Sequence, residues 1–357
     1  MQQSGARRRT AEEATFELLR RLEQETIFAG PGWPWRSRHP AAPEGFRIVA
    51  NDQCATAVTM ASAYARITGA PATVAVASEM DVLSTAAPLL AATQGGDPLV
   101  IVVLTRPGWR DSAAARMLPG PWAKGILAAA QRRFAPSVLA AAFELSVQSP
   151  PGPVLVMVPA QPASPGTPSS SPPPQRGPRP QPAAPPAGRP SPGVAERRAP
   201  GRSTLGTLDV ARILRDVAPE DTVLVDDGRV PRGPMAVAWP TPQPDMRHRN
   251  LHGISGWELP FAAGVALAER DLGRMRPVLA IASAASLVAT LSSLAAAVHL
   301  RLPLLTVALN EHGQQLHAPA AAYGAHVVSV RGVDALTEAA AAAWRHESPA
   351  IVNLLPR

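Results

Sequence analysis

Residues 161–200 decide how this chain can be organised, because no folded core can be built from them. Of the 41 prolines in the 357-residue chain, 14 fall in that stretch, which holds Val194 as its one branched aliphatic and no aromatic. A segment of that composition buries too little apolar surface to offset its ordering entropy, and its prolines favour extended polyproline conformations. The tract is read as a disordered Pro-rich linker over 161–204, between an N-terminal block (1–160) and a C-terminal block (205–357). Each block has the size of an ordinary domain. With 46% apolar residues overall, each can build a core.

The linker also explains the charge. Within 161–200, Arg176, Arg179, Arg189, Arg197 and Arg198 against Glu196 supply +4 of the formal +7, leaving the rest of the chain near +3. Neither block shows a basic stripe interleaved with aromatics, so nucleic acid is not an expected partner. Cys54 is the only cysteine, which excludes an internal disulfide framework and a multi-cysteine zinc site. That usage suits a reducing cytoplasm. Arg7-Arg8-Arg9 is followed by Thr10-Ala11-Glu12-Glu13, where a twin-arginine signal would turn apolar. No apolar run approaches the roughly 20 residues of a membrane span. The expectation is a soluble, cytoplasmic protein.

Both blocks alternate helix and strand signals. In the first, Thr10 and Glu13 form a capping-box pattern ahead of a helix that runs to about Glu25. Strands are expected at 26–28, 47–50, 72–77, 99–105 and 154–158, with a helix from Gln53 to Thr68 closed by Gly69. In the second, strands are expected at 222–225, 278–282, 304–309, 326–330 and 350–354, with helices at 259–270, 287–300 and 334–345. Short, fully apolar strands separated by helices indicate α/β architecture: two doubly wound parallel sheets, with ligands beyond the carboxyl ends of the strands.

Particular residues add a family likeness. Glu13 to Arg21, Thr26-Ile27-Phe28 and Gly30-Pro31-Gly32 resemble the opening of thiamine-diphosphate-dependent decarboxylases, in the manner of benzoylformate decarboxylase and acetolactate synthase. Tyr64 to Gly69, Asp97-Pro98-Leu99-Val100 and Gly152-Pro153-Val154 resemble later segments of the same pyrimidine-binding domain. Gly256-Trp257-Glu258-Leu259-Pro260, Leu302-Pro303-Leu304 and Asn310 resemble the diphosphate-binding domain. The resemblance implies thiamine diphosphate and Mg²⁺ as cofactors, bound between the pyrimidine domain of one subunit and the diphosphate domain of another. It thus implies a homodimer or larger assembly, or a hetero-oligomer with an intact relative. The cofactor-contacting positions it assigns are Gly32, Trp33, Gly253, Ser255, Ser283, Ser286 and Asn310.

The same resemblance exposes departures. The family's central domain is missing, with the Pro-rich tract in its place. The Glu that activates the aminopyrimidine falls at Cys54, and a thiol is a poor substitute proton donor. Asp52, two residues earlier, would point about 200° away on a helix. The metal-binding Asp and the following Gly fall at Ala284 and Ala285, and the metal-binding Asn at Glu311. A substrate-contacting Ser falls at Trp33 and an active-site His at Ala77, with Glu79-Met80-Asp81-Val82 where a glycine-rich loop is usual. Structural residues persist while chemistry-bearing ones change, which reads as a pseudoenzyme, or a repurposed or partner subunit. Two alternatives stay open. One is a lyase or carboligase acting on a 2-oxo acid, since glyoxylate carboligase works without the activating Glu. The other is a thiol enzyme using Cys54, or a metal enzyme using Glu311 with His252, His312 and His317.

Overall fold

The computed structural model describes residues 11–33, 44–111, 113–118, 121–160, 205–241, 243–346 and 348–356. The linker reading and the Thr10 cap fall outside these residues. Among the described residues, twelve strands form two sheets, each parallel throughout. The first contains β1 (Thr26–Ala29), β2 (Arg47–Ala50), β3 (Ala72–Val76), β4 (Leu99–Thr105), β5 (Gly125–Ala128) and β6 (Val154–Pro159), in the order β2-β1-β3-β4-β6-β5. The second contains β7 (Val223–Asp226), β8 (Arg247–Arg249), β9 (Val278–Ser283), β10 (Leu304–Leu309), β11 (His326–Arg331) and β12 (Ala350–Leu355), in the order β11-β12-β10-β9-β7-β8.

The crossovers of the first half are α1 (Ala11–Arg21), α2 (Cys54–Thr68), α3 (Glu79–Leu83), α4 (Ala86–Gly95), α5 (Ala113–Met117) and α6 (Ala135–Val147). Those of the second are α7 (Thr207–Arg215), α8 (Arg232–Ala238), α9 (Glu258–Asp271), α10 (Ala284–Val288), α11 (Ser293–His299), α12 (His317–Ala322) and α13 (Val333–Ala343). The ten expected strands are all present, and each sheet gains one further edge strand, β5 and β8. Their sequences, Gly-Ile-Leu-Ala and Arg-His-Arg, sit at sheet edges and are only partly buried. An edge strand needs no apolar run, so periodicity gave no signal there. The first helix stops at Arg21, four residues earlier than expected. The single helix expected at 287–300 is two, α10 and α11, interrupted over 289–292.

Alternation along the strands builds three cores. In β4, Leu99, Ile101 and Val103 point into a central core, while Val100 faces a second core with Phe16 and Leu19 of α1 and Leu139 and Phe143 of α6. In β9, Val278, Ala280 and Ala282 join the same central core, while Leu279 and Ile281 face a third core with α7, α8 and α13. This is the two-residue period of a sheet buried on both faces.

The central core is shared because α2 and α9 pack on one another. Both are buried nearly all round, α2 with a run of Ala, Thr, Ser and Met. At their closest approach stands Gly264, where an added Cβ would lie 2.3 Å from the Met60 carbonyl oxygen and 2.8 Å from the Ala63 Cβ. Around that contact, Arg66 pairs with buried Asp97 at 2.7 Å while its guanidinium lies 5.1 Å from the centre of the Phe261 ring. Asp271, closing α9, accepts from Arg47 Nη1 at 3.0 Å and from the Tyr64 hydroxyl at 2.9 Å. Burial, then the Asp271 charge, pushes the Tyr64 phenol up from its ordinary value.

Gly264→Val is expected to destabilise the protein by about 1–3 kcal/mol, because backbone on the opposite helix cannot retreat like a flexible side chain. Urea unfolding measures this; an unchanged midpoint would mean the helices separate freely.

Candidate functional site

The candidate positions of the first half gather at the carboxyl ends of β1 and β3. Gly30 follows β1, and an added Cβ there would lie 2.4 Å from the Cys54 sulfur. Cys54 opens α2 and is only 3% exposed. Its sulfur thus fills the space left by the missing glycine side chain and is withheld from solvent. Gly32 adopts φ +73°, with its Cβ direction 3.3 Å from Ala77. Trp33 is buried in the core that includes Ala75 and Leu139. It packs the fold at the place where the resemblance assigned a cofactor contact.

Two details of the sequence reading are corrected here. α2 begins at Cys54, so Asp52 lies in the bend before it, and the helical rotation argument does not apply. The segment 79–82 is helix α3 rather than a loop, with Ser78 as its N-cap accepting from the Asp81 amide. Gln53, beside Cys54, donates to the Ala289 carbonyl at 3.2 Å, which links this loop to the end of α10.

The candidate positions of the second half surround a carboxylate. Ser283 caps α10, accepting from the Ser286 amide at 3.2 Å. Ser286 in turn accepts from the Gly256 amide and donates to Glu258 Oε2 at 2.9 Å. The other oxygen, Glu258 Oε1, accepts from Asn250 at 3.0 Å. Asn250 also clasps its own turn, donating to the Ile254 carbonyl and accepting from the Ile254 amide. Gly256, at φ +81°, is wedged against Thr290. Gly253 also takes positive φ, +61°, but with open space around it, and Ser255 is exposed.

Glu258 is only 2% exposed. Burial, partly offset by the Asn250 and Ser286 bonds and reinforced by Asp227, pushes its carboxyl above the ordinary value. Asp226, at the end of β7, is fully buried and likewise pushed up by burial, although the Gly228 amide and Arg249 pull it back. One of its oxygens, Oδ2, has no hydrogen-bond partner. Asp227 accepts from Thr207 and lies 3.5 Å from Arg229. This end of the second sheet is therefore crowded with carboxylates.

At the end of β10, Asn310 is buried and fully engaged, bonding both chain directions of Gln314 and the side chain of Asn353. It holds the 310–314 turn in place. Glu311, His312 and His317 are exposed. His252 is displaced below its ordinary value by burial and then by Arg66 of the first half. Among the described residues no group of three or more His, Cys, Asp or Glu is placed to hold a metal ion. Glu311 and His312 lie on the loop after β10, His317 opens α12 and His252 lies on the turn after β8, and these four are not brought together as a metal site.

A diphosphate would require N–H and O–H donors facing open space, and a cation bridging its oxygens. Here the Gly256 amide and the Ser286 hydroxyl are turned onto each other and onto Glu258. A buried carboxylate occupies the ground between them, so the residues present do not fit a diphosphate with its magnesium.

The sequence matches the family description "Thiamine pyrophosphate enzyme, N-terminal TPP binding domain" over residues 9–120, and the corresponding "C-terminal TPP binding domain" over residues 234–319. The chain belongs to the thiamine-diphosphate-dependent enzyme superfamily. The fold agrees throughout. A Mycobacterium smegmatis enzyme described as thiamin diphosphate-dependent superimposes with a TM-score of 0.78 at 19% identity, covering 98% of this chain and 100% of the other. Benzoylformate decarboxylase from Polynucleobacter necessarius gives 0.77 at 17% identity, covering 97% and 98%. The thiamine diphosphate-dependent 4-hydroxybenzoylformate decarboxylase of Rhodococcus jostii RHA1 gives 0.74 at 15%, covering 97% and 98%. No curated protein sequence matches the chain. No described helix is long and apolar enough to cross a membrane.

Within this superfamily member the sequence reading missed Glu258, Asn250, Asp226 and Asp227. The signal for Glu258 was available: a charged residue one step inside an otherwise apolar helix, Trp257-Glu258-Leu259-Pro260-Phe261.

Two outcomes follow. The folded protein holds the Glu258 proton more tightly than the unfolded chain, so that contribution to stability is complete below the ordinary value of 4.5 and is lost as pH rises through the raised folded value. Glu258→Gln should therefore gain stability relative to the parent as pH increases, read as the difference between their urea midpoints. A difference independent of pH would contradict the raised carboxyl. Separately, a thiol reagent should label Cys54 only as fast as the protein opens; immediate stoichiometric labelling of native protein would show a reactive thiol.

Proposed function

We propose that this chain is a diverged thiamine-diphosphate-enzyme homologue that acts without the classical cofactor, as a pseudoenzyme or partner subunit. The observation that carries the reading is Glu258, buried and bonded to Ser286 and Asn250 at the diphosphate end of the fold. An internal carboxylate at that place repels a diphosphate and uses the groups that would bind it. Cys54 at the position of the activating Glu, and Ala284 at that of the metal-binding Asp, support the same reading. The fold would then be kept for assembly, pairing with a second copy or with an intact relative, in the reducing cytoplasm that a lone buried cysteine tolerates.

A second reading is supported by the fold shared with decarboxylases: a lyase or carboligase acting on a 2-oxo acid. Calorimetric titration with thiamine diphosphate and magnesium separates the two. The expected result is no binding up to about 1 mM, which corresponds to roughly −4 kcal/mol, and no turnover of 2-oxo acids. The combined variant Glu258→Ala, Ala284→Asp, Ala285→Gly should bind the cofactor where the parent does not. Micromolar binding by the parent would overturn the reading and favour the lyase.

A further inference from the structure

The first sheet has a ligand-sized cavity. It opens at the carboxyl ends of β4, β5 and β6, has a volume of about 420 Å³, and is lined wholly by residues of the first half. In doubly wound sheets, ligands settle beyond the carboxyl ends of the strands because loops there leave open ground between crossovers.

We propose that this cavity binds a small organic monocarboxylate, with its apolar body against Pro159 and Ala129 and its carboxylate between Thr105, Arg106 and Arg110. Three features support this choice. Thr105 is 2% exposed and is one of the residues lining the cavity, and its hydroxyl has no hydrogen-bond partner. A buried hydroxyl left in this way costs stability unless something arrives to bond it. Arg106 is 68% exposed, and its Nε is fixed at 3.0 Å by the carboxylate of buried Glu79 on α3. Such an anchor orients the guanidinium before any ligand binds and lowers the entropy lost on binding. The exposed Arg110 guanidinium lies 5.6 Å from the Trp109 ring centre, on the same turn.

The acids limit the ligand's charge. Glu79 stands behind Arg106 and Asp111 lies among the lining residues. Together they balance the two guanidiniums, so the cavity offers no net positive charge to a dianion or a diphosphate, whereas a single carboxylate can be held by directed guanidinium hydrogen bonds. The apolar lining favours a hydrocarbon body over a sugar.

The probe is benzoate, titrated by calorimetry into the full chain at pH 7 and low salt, with benzamide and inorganic phosphate as controls. Benzoate should bind with Kd at or below about 1 mM. Arg110→Gln should weaken it about tenfold and Thr105→Val several-fold, with thermal unfolding unchanged. Both variants leave the Arg106–Glu79 pair intact, so a loss of binding is not a loss of fold. Benzamide and phosphate should fail to bind in that range. No benzoate binding up to about 10 mM, equal binding of benzamide or phosphate, or parent-like binding by both variants would overturn the proposal.

Discussion

The contact between α2 and α9 is the constraint on which the rest of the structure depends. Each sheet could have closed its own two faces with its own helices. Instead one helix from each half turns its most densely apolar side to the other, and the two halves acquire a common core. Close approach of this kind requires small residues at the crossing, and Gly264 against Met60 and Ala63 is the tightest point. The surrounding ion pairs are arranged about that crossing. Asp97 is buried and satisfied by more than one donor, which is how a protein tolerates charge near a core, and the exposed Asp271 also accepts from more than one donor.

That arrangement leaves the carboxyl ends of both sheets free to carry loops, and the candidate site lies on them. In the first half its features are ones of volume: the Cys54 sulfur stands against Gly30 and the Trp33 indole lies in the core. In the second half they are ones of charge. Glu258 stands at the start of α9 and takes up the amide-and-hydroxyl relay from Gly256 and Ser286, with Asn250 completing its shell. A buried carboxylate needs such partners to be stable. Packing residues preserve the architecture, while loop residues determine what can bind.

The architecture was largely legible. β3, β4, β9 and β10 are unbroken apolar runs, which only a sheet covered on both faces can use, and all were expected within a residue or two. β5 and β8 were not, since edge strands such as Arg247-His248-Arg249 obey no burial pattern. The break between α10 and α11 was also hidden, because Ala, Leu and Ser continue through it without a proline or glycine to mark it. The candidate site was less legible. Ser283 ends β9, Ser286 lies in α10 and Asn310 follows β10. Trp33, expected to contact cofactor, is buried in the core, while Glu311 and His312 are exposed on the loop after β10 and His317 opens α12.

The sequence by itself determined the class of fold and the superfamily, since these rest on periodicity and on motifs local to a few residues. It also put Cys54 and Ala284 where the resemblance expects an activating Glu and a metal-binding Asp. Only the tertiary structure decided what meets at the strand ends. Glu258, Asn250 and Ser286 are separated by 8 and 28 residues along the chain, and nothing in their spacing announces a contact. They meet because the carboxyl ends of β8 and β9 and the start of α9 come together at the same end of one sheet. There the removal of water makes a single carboxylate matter far more than it would on a surface.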